Sequence, residues 1–237
     1  MKRILLIFSL LLTLNSFAQE QFLRIPQRGF NPPKEVRNSP LYEKKIVVFG
    51  DSYVQNAGRP IEETWHYKLA VKYNMEYHNW GRNGNCLAYE WETELFGAPM
   101  YKRYTELPDI EVDYIIVIAG HNDAVLMDRY GEGTEFFRSK LDILCAGLRK
   151  KYPDAKICFV TPWAVPRPMY KETAQAMEEE CGHYGIPVFN SVLHSGINVR
   201  FHGFRYMFFL NGDDFAHLND KGHNLFLPRI EHFLLNL

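Results

Sequence analysis

The sequence predicts a three-layer α/β/α domain built on a five-stranded parallel sheet. Short runs of apolar, mostly β-branched residues bounded by Gly or Pro recur along the chain, as strands buried on both faces require. Helical patterns separate them, and strands that alternate with helices pair in parallel through crossovers that cover both faces of the sheet. The 237 residues, 46% hydrophobic, supply one sizeable core and are too few for two comfortable domains.

The elements follow in order. "MKRILLIFSLLLTLNSFAQE" opens with Lys2 and Arg3, runs apolar from Ile4 to Leu14 and ends in small residues at Ser16 and Ala18. That pattern predicts a secretory signal peptide, residues 1–18, cleaved after Ala18. The apolar run falls well short of the roughly 20 residues that a spanning helix needs, and no cysteine follows the cleavage point to accept a lipid. The mature protein is therefore expected to be secreted or periplasmic, without a membrane span. Residues 19–44, rich in Pro, Asn and charge, read as an irregular leader, and the domain proper as residues 45–237. Its strands are "KIVVFG" (45–50), "MEYHNW" (75–80), "VDYIIVIAG" (112–120), "AKICFVTP" (155–162) and "IPVFN" (186–190). Helices are expected at 61–73, 134–151, 169–184 and 218–235, the last bent at Pro228.

Charge and cysteine content narrow the function. With 27 Lys+Arg against 28 Asp+Glu, the formal net charge of -1 creates no global field for nucleic acid or an anionic membrane. Uncharged or weakly charged ligands are favoured. Cys86, Cys145, Cys158 and Cys181 form no C-x-x-C pair, so no metal pattern is present. Buried thiols are expected at Cys145 and Cys158, and one disulfide stays open as an alternative.

In parallel sheets of this kind, ligand sites gather beyond the carboxyl ends of the strands. There the sequence places Gly50-Asp51-Ser52, then "NWGRNGN" with Asn79, Gly81 and Gly84, then "GHND" (120–123), and finally "GDDFAHLNDKG" with Asp214 and His217. Each set alone could be turn and cap chemistry. Together they supply a kit for acyl transfer. A serine hydroxyl needs an imidazole to take its proton, and the imidazole needs a carboxylate to fix its tautomer. Ser52, His217 and Asp214 fill those roles, and a D-x-x-H step is short enough for one turn to hold both side chains. The developing oxyanion needs donors, for which the candidates are Ser52 N–H, Gly84 N–H and Asn122 Nδ2. Gly81 is an alternative to Gly84. Without a Cβ, Gly84 would also let the acyl group approach the backbone.

With these blocks in order, "FGDS", "NWGRNG", "GHND" and "DFAHLNDKG", the sequence resembles the SGNH (GDSL-type) hydrolases over most of the mature chain, Phe49 to Gly222. The resemblance implies a flavodoxin-like sandwich, Ser52 as nucleophile, Gly84 and Asn122 in the oxyanion hole, and Asp214 with His217 completing the triad. Family members carry the oxyanion glycine five residues after an Asn that ends the second strand, a spacing that Asn79 and Gly84 keep. Two departures stand out. Tyr53 replaces the small aliphatic residue usual after G-D-S, and Asp213 offers a second carboxylate, although only Asp214 has the D-x-x-H spacing. The G-x-S-x-G elbow of classical α/β-hydrolases is absent.

The block "GHND" is similar to that of polysaccharide-deacetylating members, which are also secreted, so the resemblance implies an esterase that removes acetyl groups from a carbohydrate. Trp80, Trp163, Tyr170, Phe204 and Tyr206 are candidates to stack on sugar rings, and Arg82, Arg167 and Arg205 to meet carboxylates such as those of uronic acids. Tyr53 and His121 are further candidates for substrate contact, although His121 also reads as a loop hydrogen-bonding residue, and Asp51 and Asp123 as braces of strand-end turns. Three alternatives remain. A lipid esterase would use the same triad, and the apolar "FRYMFFL" (204–210) suits either a lipid-facing lip or, more simply, a buried segment. A metal-dependent phosphoesterase would use Asp51, His121, Asn122, Asp123, Asp214 and His217, but the D-x-H and G-H-x-H patterns of dinuclear sites do not occur. A glycan-binding protein would keep the fold without turnover. No cofactor or metal is expected, and the partner is a small-molecule or polysaccharide ester.

Overall fold

The computed structural model describes residues 22–237, so the predicted signal peptide lies outside the described residues. Six strands form one sheet in the order β1-β3-β2-β4-β5-β6: β1 Phe22–Arg24, β2 Lys45–Gly50, β3 Glu76–Gly81, β4 Tyr114–Ile118, β5 Lys156–Val160 and β6 Val188–Phe189. The five expected strands are all present and pair in parallel with one another. The sixth corrects the expected count. Phe22–Arg24, read as irregular leader, adds to β3 in antiparallel register, Leu23 opposite His78. Three residues are too few to leave a periodic signal in a Pro-rich segment. Pairing also needs β3, which lies about 50 residues further along.

Alternation along the strands builds the two faces, because successive side chains point to opposite sides. Ile46, Val48, Ile116, Cys158 and Val160 face one core, shared with Trp65 and Leu69 of α2 (Trp65–Lys72) and Phe226 and Ile230 of α7 (Asp220–Leu235). Val47, Phe49, Ile115, Val117, Ile157 and Phe159 face the other. There they meet Phe137, Leu141, Leu144 and Leu148 of α4 (Glu135–Lys151) and Ala176 and Met177 of α5 (Tyr170–His183). These four helices match the expected ones to within a few residues. Pro228 lies inside α7, which continues past it to Leu235.

Three further helices are not among those expected from the sequence. α1 (Ser52–Gln55) is one turn directly after β2, and α3 (His121–Tyr130) directly follows the "IAG" that ends β4. Asn122 and Asp123 therefore stand on a helix rather than in a loop. α6 (His202–Phe208) takes up most of "FRYMFFL". Phe209 is buried, but Tyr206 is 74% and Met207 53% exposed, which corrects the reading of that stretch as buried. All four cysteines are buried free thiols, with the sulfurs of Cys145 and Cys181 3.8 Å apart. No helix among the described residues is long and apolar enough to cross a membrane.

Counted by themselves, the five parallel strands run in the order 2-1-3-4-5. The chain leaves β2 toward β3 on one side and later returns to β4 on the other. That reversal opens a crevice at the carboxyl ends of β2 and β4, where Ser52 and Asn122 stand in the first turns of their helices.

Candidate active site

Ser52 is the first residue of α1 and is 8% exposed. Asp51 caps the turn, its Oδ1 accepting from Tyr53 N–H at 2.8 Å. Gly50 is required because a Cβ there would lie 2.4 Å from the Ile118 carbonyl oxygen. The serine Oγ lies 2.9 Å from His217 Nε2, across 165 residues of sequence. His217 Nδ1 lies 3.0 Å from Asp214 Oδ2. The other carboxylate oxygen, Oδ1, accepts from the N–H groups of Ala216 (2.7 Å) and His217 (2.9 Å). Burial raises the Asp214 pKa, but these bonds and the imidazole outweigh it and hold the carboxyl below its ordinary value. With Asp214 ionised, the favoured tautomer has Nδ1–H donating to Asp214 and leaves Nε2 as acceptor for the serine hydroxyl. Asp213, the other carboxylate of the pair, is exposed and forms no hydrogen bond or ion pair with His217 among the described residues.

The loop after β3 lies on the opposite side of Ser52. Asn79 accepts from Gly81 N–H (2.9 Å) and donates to Val54 O (2.9 Å), tying the end of β3 to α1. Gly81 packs so closely on α1 that a Cβ would meet Gln55 N at 2.4 Å. Gly84 has φ +71, and a Cβ there would run into the Phe96 ring at 2.2 Å. The glycine is therefore demanded by its backbone and by Phe96, a different reason from the open acyl approach read from the sequence. Neither Ser52 N–H nor Gly84 N–H donates to another group among the described residues. Asn122 Nδ2 donates to Asn85 O at 3.0 Å and, at a longer 3.3 Å, to Asp51 Oδ2.

Two buried carboxyls brace this region, as expected of them. Asp123 accepts from Leu87 and Ala88 N–H at 2.8 Å and from Tyr89 N–H at 3.3 Å. Burial, partly offset by those bonds, pushes its pKa up to about 6, and burial pushes Asp51 up to about 7. His121 Nδ1 lies 3.0 Å from Tyr53 OH, and Tyr170 OH lies 3.2 Å from the same nitrogen. Burial, followed by the charge of His217, drives His121 down to about 3, so it is neutral.

The proposed substrate contacts divide. Trp163 is 3% exposed, stacks on Tyr53 and donates its Nε1–H to Ala216 O at 2.7 Å, so it supports the His217 turn from inside. Trp80 and Tyr170 are buried as well. Arg205 is buried and serves the carbonyls of Gly212 (2.7 Å) and Val199 (2.6 Å). Arg82 lies 3.8 Å from Glu106. Tyr206 is exposed and Phe204 half-buried. The cavity against Ser52 and His217, walled by Tyr53, Trp163, Ala216 and Leu218, has a volume near 10 Å³, about the space one water needs. A much larger depression, about 1000 Å³, lies at the far end of β4 and β5, around Tyr114 and Lys156. No cluster of three His, Cys, Asp or Glu side chains suited to a metal ion occurs among the described residues.

The model of the GDSL-like lipase/acylhydrolase family matches residues 48–225. The chain belongs to that family. Solved structures share its fold. One described as a GDSL-like lipase from Bacteroides uniformis is 21% identical, with a TM-score of 0.61 over 82% of this chain and 97% of that one. A protein of Lactobacillus plantarum is 20% identical, with a TM-score of 0.69 over 81% of this chain and 97% of that one. A family two carbohydrate esterase from Clostridium thermocellum is 14% identical, with a TM-score of 0.62 over 82% of this chain and 64% of that one. No curated protein matches.

Two residues of this GDSL-like site escaped the sequence reading. Asn85 supplies the carbonyl that holds Asn122, and its side chain donates to Phe96 O (3.0 Å) and Ala98 O (2.8 Å). Arg103, 2% exposed, donates to Asn85 Oδ1 at 2.6 Å and lies over the Phe49 ring. The only signal for Asn85 was its place beside Gly84. Arg103 had none, because a lone arginine in "MYKRY" looks like a surface residue.

Proposed function

We propose that the protein is a secreted serine esterase that removes O-acetyl groups from a carbohydrate. The hydrogen-bonded chain Ser52–His217–Asp214 at 2.9 and 3.0 Å carries this reading. His217 Nε2 takes the Ser52 proton as Oγ attacks the ester carbonyl, and Asp214 stabilises the imidazolium that results. The oxyanion forms against Ser52 N–H and Gly84 N–H, both without another acceptor among the described residues, and Asn122 Nδ2 exchanges its long contact with Asp51 for the developing charge. His217 then returns the proton to the leaving alcohol, and water releases acetate from Ser52 by the same steps. The cavity of about 10 Å³ beside Ser52 has room for about one water and so none for a long acyl chain. The Clostridium carbohydrate esterase, solved with a cello-oligosaccharide, shares the fold and is consistent with a sugar as the alcohol.

An acetate-release screen over acetylated plant, host and bacterial-wall glycans tests the proposal, with Ser52→Ala as control. Release is expected from at least one glycan class, with a loss on the order of 10⁵-fold or more in the variant. Unchanged hydrolysis by Ser52→Ala would refute the mechanism. The second reading, a lipid esterase, draws on the exposed Phe201, Tyr206, Met207 and Leu210. It predicts a preference for long-chain over acetyl nitrophenyl esters, and the acetylesterase reading predicts the reverse.

A further inference from the structure

The three arginines proposed to meet carboxylates differ in what already holds them. Arg205 is committed to two carbonyls, and Arg82 lies near Glu106. Arg167 is exposed, and its guanidinium makes no hydrogen bond or ion pair among the described residues. Its backbone is firmly set. Pro166 and Pro168 flank it, and its N–H donates to Val165 O at 2.8 Å. A following proline steers it toward extended conformations, which narrows the directions in which its side chain can leave the loop.

Arg167 lies beside the turn that carries Asp214 and His217, facing the Phe215 ring within it. Its loop joins β5 to α5 and is pinned to the site at both ends: Trp163 donates to Ala216 O, and Tyr170 OH meets the His121 ring that bonds Tyr53. The Arg167 guanidinium lies 5.6 Å from the centre of the Phe215 ring, and the Arg205 guanidinium 4.2 Å from it. Phe215 stands between Asp214 and His217 in sequence. The nearby acids leave this charge uncompensated, since Asp214 is taken by His217 and Asp213 forms no ion pair among the described residues. The overall charge of -1 hides this local excess of cation. A guanidinium lying against a ring keeps its N–H fork available, and that fork matches the two oxygens of a carboxylate.

We propose that Arg167 binds a carboxylate on the alcohol side of the ester, so that the preferred substrate is an O-acetylated acidic saccharide bearing uronate groups. This rests on the acetylesterase reading above. The test compares kcat/KM for O-acetylated oligogalacturonate and O-acetylated neutral xylo-oligosaccharide, at low and high salt, in wild type, Arg167→Gln and Arg167→Lys. Wild type is expected to prefer the acidic saccharide, with a KM that rises with salt. Arg167→Gln is expected to raise KM for the acidic saccharide about ten-fold or more relative to the neutral one, and Arg167→Lys to recover part of the loss. Equal activity of wild type on both glycans, or an equal change on both in Arg167→Gln, would overturn the proposal while leaving the acetylesterase reading intact. Acetate release from neither glycan would overturn the proposal, and release from no glycan of the wider plant, host and bacterial-wall screen would overturn the acetylesterase reading as well.

Discussion

Two loops face each other across Ser52 and are held in opposite ways. The 211–219 loop, which carries Asp214 and His217, is tied by its own short polar side chains. Asn211 Oδ1 accepts from Asp213 and Asp214 N–H at 2.9 Å, Asp214 accepts from the next turn, and Asn219 caps α7 through Gly222 N–H at 3.0 Å. The 82–89 loop, which carries Gly84, is held from a distance. Asp123 takes three of its N–H groups from more than 30 residues away, and Arg103 and Asn122 grip Asn85. Local amide bonds are individually modest, whereas ionic groups in a buried setting make stronger bonds at a larger desolvation cost. The loop proposed to transfer the proton thus rests mainly on its own short polar contacts, with Arg205 and Trp163 holding the Gly212 and Ala216 carbonyls from outside it, whereas the loop that would bind the oxyanion rests chiefly on distant buried groups.

Substitutions can separate the two designs. The largest effect is expected from Asp214→Asn, which favours the wrong His217 tautomer and should lower kcat on the order of 10⁴-fold with little change in KM. A loss below ten-fold would remove Asp214 from the relay. Across the crevice, Asn122→Ala should lower kcat about 10²-fold to 10³-fold, and a pure KM effect in steady-state kinetics would contradict the oxyanion assignment.

Asp123→Asn probes the buried anchor through pH. Burial lifts this carboxyl from 3.8 to about 6, against the pull of the Leu87, Ala88 and Tyr89 N–H groups. The native state therefore holds the proton more tightly than the unfolded state does. The stabilising contribution is full below pH 3.8 and is lost as pH rises through 6. Two pKa units correspond to about 3 kcal/mol. The stability difference between wild type and Asp123→Asn, measured by urea unfolding, should shrink by about that amount across this window, and a constant difference would count against a raised pKa. The smallest effect is expected from Asn211→Ala in the local loop, about 1 kcal/mol of stability. If it matched Asp123→Ala in urea, the contrast between the loops would collapse.

The same contrast explains what could be read from the sequence. Asp214 and His217 sit within one turn, so D-x-x-H records their contact, and Gly-Asp-Ser after "KIVVF" records a strand end. The five parallel strands were legible because β-branched runs buried on both faces leave a continuous apolar signal. Asn85 and Arg103 were not, because their roles exist only once β3, α3 and the segment around 96–103 converge, and spacing along the chain carries none of that. Trp163 misled for a related reason. An aromatic residue just past a strand looks like a rim, but its Nε1–H found an internal acceptor in Ala216 O and turned the ring inward. The helix α3 was missed because its ten residues begin with three polar ones, which read as a turn.

The three-residue strand β1 has a consequence for the protein in crowded solution. Without it, the outer row of N–H and C=O groups on β3, from Tyr77 to Asn79, would stand open to pairing by a strand from a neighbouring molecule. Phe22–Arg24 satisfies that row, and Arg24 fastens it by donating to Met75 O at 2.6 Å. The other boundary, β6, is only two residues long and offers little to recruit. What these few residues guard is colloidal: they keep one molecule's sheet from becoming the template for the next.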